Sequence, residues 1–179
     1  MPTLNTISTN KNALTSIKLK IGIAIETTAG TMPTTNYYHV PQVTDLPDLD
    51  FEPDTIETTS YDNEEYKSYL PGLKDTGGII SLSANYTEYG VDMWDDIVSK
   101  LAPATNTTGK KAWLLITIEG TEKRWFVPIN PVVTGLPSAP VNDKVSINYN
   151  FTVAGDITSS KIADVSAYWA SGDYSNASA

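Results

Sequence analysis

Apolar residues recur at every second position through much of this chain, and that rhythm predicts its elements. Ile17, Leu19, Ile21, Ile23 and Ile25 mark a strand, with Lys18 and Lys20 on the opposite face. Ala29, Gly30 and Pro33 interrupt residues 27–36, and residues 37–43 resume as a strand running toward an acidic one. Further on, Ile80, Leu82, Ala84 and Tyr86 alternate with Ser81, Ser83, Asn85 and Thr87. Residues 111–118 and 123–129 read as paired strands joined by a turn through Glu119, Gly120, Thr121 and Glu122. Residues 144–154 give the cleanest alternation, with Val145, Ile147, Tyr149, Phe151 and Val153 on one side. One stretch changes period. Val91, Trp94, Ile97, Val98 and Leu101 share a helical face, opposite Asp92, Asp95, Asp96 and Lys100, which predicts a helix over about 91–101. Asp92 and Lys100 suit the helix dipole, and Pro103 follows the stop. Roughly seven strands and one helix predict a mainly β protein, an antiparallel β-sandwich or barrel with one flanking α-helix.

The stretch from 46 to 78 fits this scheme least well. Asp48, Asp50, Glu52 and Asp54 alternate with Leu49, Phe51 and Pro53, so the acids share one strand face and the apolar residues the other. Pro53, which has no backbone N–H, is expected to end that ladder. A long inter-strand loop over about 55–78 follows, closing on a turn-rich run from Tyr69 to Gly78. Loops of that length in compact domains are commonly functional or disordered, and Tyr61, Tyr66, Tyr69, Leu70 and Leu73 make this one too apolar for a solvated linker. At the ends, residues 1–16 read as a polar N-terminal arm and 156–179 as a Ser/Ala-rich C-terminal arm, leaving a domain over 17–155. Trp94, Trp113 and Trp125 are expected in the core. Tyr168 and Trp169, aromatic residues in a polar arm, are expected to dock on a neighbouring molecule, so removal of the tail after Gly155 should leave the domain folded.

Charge sharpens the picture. The chain of 179 residues carries 21 acids against 12 bases, a formal charge of −9, and nine of the acids fall within 45–65, where no Lys or Arg occurs. Such a protein should repel nucleic acid rather than hold it. With no cysteine, neither disulfides nor thiolate chemistry is possible. The longest wholly apolar run, 112–116, is far short of a membrane span, and the first sixteen residues have no apolar secretion core, so no membrane partner or export is expected. Asp48, Asp50, Glu52 and Asp54 look superficially like a calcium loop, but Pro53 stands where such a loop needs glycine and Thr59 where it needs glutamate. His39, the single histidine, has no partners at ligand spacing, and no nucleophile elbow, phosphate loop or dinucleotide fingerprint occurs. No enzyme activity, cofactor or metal is expected.

A strand leading into PDTIETTSYDN and then SYLPGLKDTGG resembles the major tail tube proteins of long, non-contractile bacteriophage tails. The likeness covers about 17–155 by strand order and is sharpest over 53–78. It implies the tail tube fold and a structural virion protein of the phage tail, assembled in the host cytoplasm. Such subunits form six-membered rings that stack into a hollow tube through which DNA passes without specific binding. The partners implied are further copies of the chain together with tape-measure, terminator and baseplate or tip proteins. By the same resemblance the long loop reaches neighbouring subunits, with Tyr66, Tyr69, Leu70, Leu73, Lys74 and Asp75 at the contact. The acids Asp48, Asp50 and Glu52 are then expected to face the lumen, where repulsion acts on DNA within about a Debye length, ~10 Å at moderate salt. Two other readings fit the residues: the tube or ring protein of a contractile or secretion apparatus, and a β-sandwich carbohydrate-binding adhesion module using the exposed Tyr and Trp.

Overall fold

The computed structural model describes residues 19–49, 53–58, 67, 69–74 and 78–174. Among them the chain forms β1 (Leu19–Ile25), β2 (Tyr38–His39), β3 (Val43–Asp45), β4 (Pro53–Glu57), β5 (Tyr69–Lys74), β6 (Ile79–Asn85), α1 (Glu88–Leu101), β7 (Ala112–Ile118), β8 (Lys123–Pro131), β9 (Ser146–Val153) and β10 (Thr158–Lys161). The fold is mainly β, an antiparallel sheet curled into a half-barrel with a single α-helix among the described residues, as the periodicities predict. The main sheet runs β2-β1-β7-β8-β9-β6-β3, with β10 also paired to β8. β8 is long enough to hold two partners in succession: its residues 123–126 pair with β10 and its residues 129–131 with β9.

Alternation sorts the side chains onto two faces. One face buries Ile21, Ile23, Leu82, Ala84, Leu114, Ile116, Val127, Ile129, Ile147, Tyr149 and Phe151 against Met93, Trp94 and Ile97 of α1. Full burial of an aliphatic or aromatic side chain contributes ~1.5–3 kcal/mol, so this layer dominates stability. Trp94 is wholly buried, stacks at 4.9 Å between centroids on Tyr149, and donates its indole N–H to the Val132 carbonyl at 2.9 Å. Beside it the Asp95 carboxylate accepts from the Thr134 amide and hydroxyl, fixing the chain beyond β8 to the helix.

Several boundaries differ from the sequence reading. The helix begins at Glu88 rather than about residue 91, because the Thr87 hydroxyl accepts from the Gly90 amide at 3.2 Å and caps it there. Pro53 opens β4 instead of ending a ladder; the first residue of a strand tolerates a missing N–H. Within the span read as a loop, β4 and β5 pair as a two-stranded sheet of their own, with Ile56 opposite Leu70 and Glu57 opposite Tyr69. Trp113 and Trp125 are half-buried rather than fully enclosed.

Candidate assembly site

The β4–β5 hairpin presents apolar side chains to solvent, since Ile56 is 57% and Leu70 58% exposed and they face each other across the ladder. Lys67 and Glu57 sit 3.4 Å apart and well exposed, a pair that contributes little to stability. Of the loop residues singled out in the sequence, Tyr69, Leu70, Leu73 and Lys74 lie on β5, while Tyr66 and Asp75 fall outside the described residues. Asp48 is exposed just beyond β3, and Leu49 beside it packs on the core. Asp50 and Glu52 lie outside the described residues. A second run of exposed apolar residues follows β8, where Leu136 is 98% and Val141 90% exposed.

The C-terminal segment lies across the second face of the sheet. β10 pairs with β8, and beyond it Trp169 and Ala170 run alongside Tyr37: the Tyr37 amide donates to the Tyr168 carbonyl at 2.9 Å and the Ala170 amide to the Tyr37 carbonyl at 3.0 Å. Tyr168 joins a compact aromatic group with Tyr37 and Phe126, at centroid separations of 6.4 and 5.7 Å. Trp169 lies over Gly22, where a Cβ would stand 2.7 Å from its ring. The two aromatic residues expected to seek a neighbour thus have partners within their own chain. Glycine in the middle of a strand was the available signal, because it marks a close approach. The segment is latched again at Tyr174, whose hydroxyl donates to the Asp96 carboxylate while Lys100 contacts both, at 2.8 Å to Asp96 and 2.9 Å to Tyr174.

Between this strap and the sheet edge lies a groove of about 680 Å³, lined by Lys20, Tyr37, His39, Pro41, Tyr89 and residues 169–173. Partial burial, and then the nearby Lys20 ammonium, hold His39 below its ordinary pKa, so it is neutral at pH 7. Lys20, Asp173 and the two tyrosines are the other titratable groups lining the groove. Among the described residues no three His, Asp or Glu side chains gather as a metal site, and no helix is long and apolar enough to cross a membrane.

Sequence comparison finds no matching family model and no matching curated protein. Structure comparison does find chains of similar fold. The chain shares its fold with components of tail-like particles. It matches a chain of an extracellular contractile injection system, the PVC sheath–tube complex in its extended state, at 15% identity and a TM-score of 0.58, over 88% of this chain and 100% of that one. A chain of the anti-feeding prophage baseplate matches at 11% identity and a TM-score of 0.56, over 88% and 99%. A chain in the tail of an empty gene transfer agent particle matches at 14% identity and a TM-score of 0.52, over 82% and 98%. At such identities the likeness is one of fold, and it extends over nearly the whole of each relative.

Proposed function

We propose that this protein is a structural subunit of a phage-type tail tube, assembling into six-membered rings that stack into a hollow cylinder for DNA. The observation that carries the reading is the fold shared, nearly end to end, with chains of tail, baseplate and sheath–tube particles. The exposed hairpin supports it: Ile56 and Leu70 are apolar surface on which a neighbour could pack, and Tyr69, Leu73 and Lys74 lie on the same strand as Leu70; Tyr66 and Asp75, close by in sequence, would join the contact. Ring closure would also occupy the short edges β2 and β3, which otherwise invite uncontrolled pairing. Asp48, Asp50 and Glu52 would face the lumen and keep phosphates from adhering, while six copies at −9 each must be held together by the apolar contacts. Other partners would be the tape-measure, terminator and tip proteins, and the site would be the virion. No catalytic role is proposed.

The tube of a contractile injection system is a second reading, favoured by the sheath–tube and baseplate relatives. Light scattering over a range of protein concentration and salt tests both. Growth of large species with concentration is expected, and a monomer under every condition contradicts them. Tubes that recruit a sheath protein would favour the second reading over the first.

A further inference from the structure

We infer that the lumen wall is the uncharged face of β6 and β9, a floor of Ser, Asn and Thr side chains past which a polyanion slides without being held. This rests on the tube reading and names the surface that would meet the DNA. On the face turned away from α1, β6 presents Ser81, Ser83 and Asn85, and β9 presents Asn148, Asn150 and Thr152. The Ser81 hydroxyl donates to Asn150 Oδ1 at 2.7 Å, and the Ser83 hydroxyl to Asn148 Oδ1 at 3.1 Å. Neither strand contains a charged residue, although charged residues make up 18% of the chain.

Four features select a sheltered, wet wall over other uses. The strap formed by the C-terminal segment covers Ala24, Leu115 and Phe126 on the β1-β7-β8 half of this face, and among the described residues the β6–β9 half is left open. A face built to dock another protein would carry an apolar centre, and here Ile79, at one end of β6, is the exposed apolar residue of that strand. A sugar platform would offer aromatic rings, and neither strand turns one outward: Tyr149 and Phe151 are both wholly buried on the other side. An outer wall needs interspersed charge for solubility, which this face lacks. For passing DNA the same composition is suitable. Without Lys or Arg the face offers no charged phosphate contact and no counterion release to favour binding. The Ser81 and Ser83 hydroxyls are turned onto Asn150 and Asn148, so the donors left on this face are neutral ones, chiefly amide N–H groups, which hold a phosphate less strongly than a charged donor. Asp45 and Asp48, exposed at the β3 side, would form an acidic margin to this floor.

The chain has no cysteine, so a single introduced thiol reports its own location. Ser83→Cys and Asn148→Cys are made separately, assembly is verified by electron microscopy, and the tubes are treated with a small maleimide and with a bulky polyethylene-glycol maleimide. Labelling by the small reagent is expected to persist in tubes and labelling by the bulky one to be lost, while dissociated subunits react with both. Equal labelling of tubes by both reagents puts the face outside, and protection from both buries it between subunits; either overturns the inference while leaving the tube reading intact. If one variant fails to assemble, the other is read. If the unaltered chain forms no tubes, the parent reading fails first. As a functional readout, tubes of the double variant Asn148→Lys, Asn150→Lys should retain duplex DNA at low salt and release it at high salt. Retention no different from that of the unaltered tubes contradicts the inference.

Discussion

At the scale of single residues, the most consequential group is one the alternation could not mark. Glu26 follows β1 and is 2% exposed, with its carboxylate accepting from the Gly30 amide at 2.9 Å, the Lys111 amide at 3.1 Å and the Trp113 indole at 2.8 Å. A lone acid at a strand end resembles any solvated surface residue in sequence, because its three donors lie up to 87 positions away. Glu26→Ala strands three N–H groups and should cost about 3 kcal/mol or more, with Glu26→Gln costing less because one acceptor oxygen remains. Urea unfolding checks this, and equal midpoints for the two variants would contradict it. Tyr149 yields a pH prediction. Burial pushes its phenol from 10.0 up to about 12, and Tyr37 is raised further by burial and then by Tyr168. A group whose pKa is raised on folding contributes stability that is complete below pH 10 and is lost as pH climbs from 10 toward 12. The melting temperature should therefore hold to about pH 10 and then fall, and Tyr149→Phe should flatten the fall. An unchanged alkaline limb in that variant would assign the loss elsewhere.

At the scale of elements, period-two alternation located the strands of the main sheet well because their long registers are decided by burial. The seven-residue pairings of β1 with β7 and of β6 with β9 are examples. The helix was legible too, apart from its first turn, which a threonine cap rather than a hydrophobic repeat determines. The hairpin β4–β5 was not, since Pro53, Pro71 and Gly72 read as breakers and only their position in a separate two-stranded ribbon makes them tolerable. The intrachain packing of the C-terminal segment was not legible for a different reason: its aromatics are too sparse to form a core alone, yet they complete one supplied by Tyr37, Leu115 and Phe126. Removal of the tail after Gly155 should now destabilise the domain itself. Uncovering that cluster is expected to cost about 3 kcal/mol, and each kcal/mol lowers Tm by ~2–4 °C in a chain of this size. A truncated monomer that melts with the intact chain would show the strap to be dispensable. Gly22→Ala should reproduce part of the loss, by about 1–3 kcal/mol, because the new methyl displaces Trp169; an unshifted tryptophan emission would contradict that displacement.

At the scale of the whole molecule, several features left over after folding are ones that the tube reading would use. An acidic chain exposes Ile56, Leu70, Leu136 and Val141, leaves a three-residue strand at one sheet edge, and keeps an uncharged polar floor open on one face. Composition alone made the charge pattern legible. On the tube reading the direction in which it faces would be set by the arrangement of many copies, and no single-chain pattern encodes that directly. Closure into rings would give each of these features a use. Negative-stain electron microscopy of the concentrated protein tests that claim most directly. Hollow cylinders built of stacked rings, with stain running down a continuous central channel, are the result expected. Dispersed monomers at every concentration and salt, or filaments without a lumen, would contradict it.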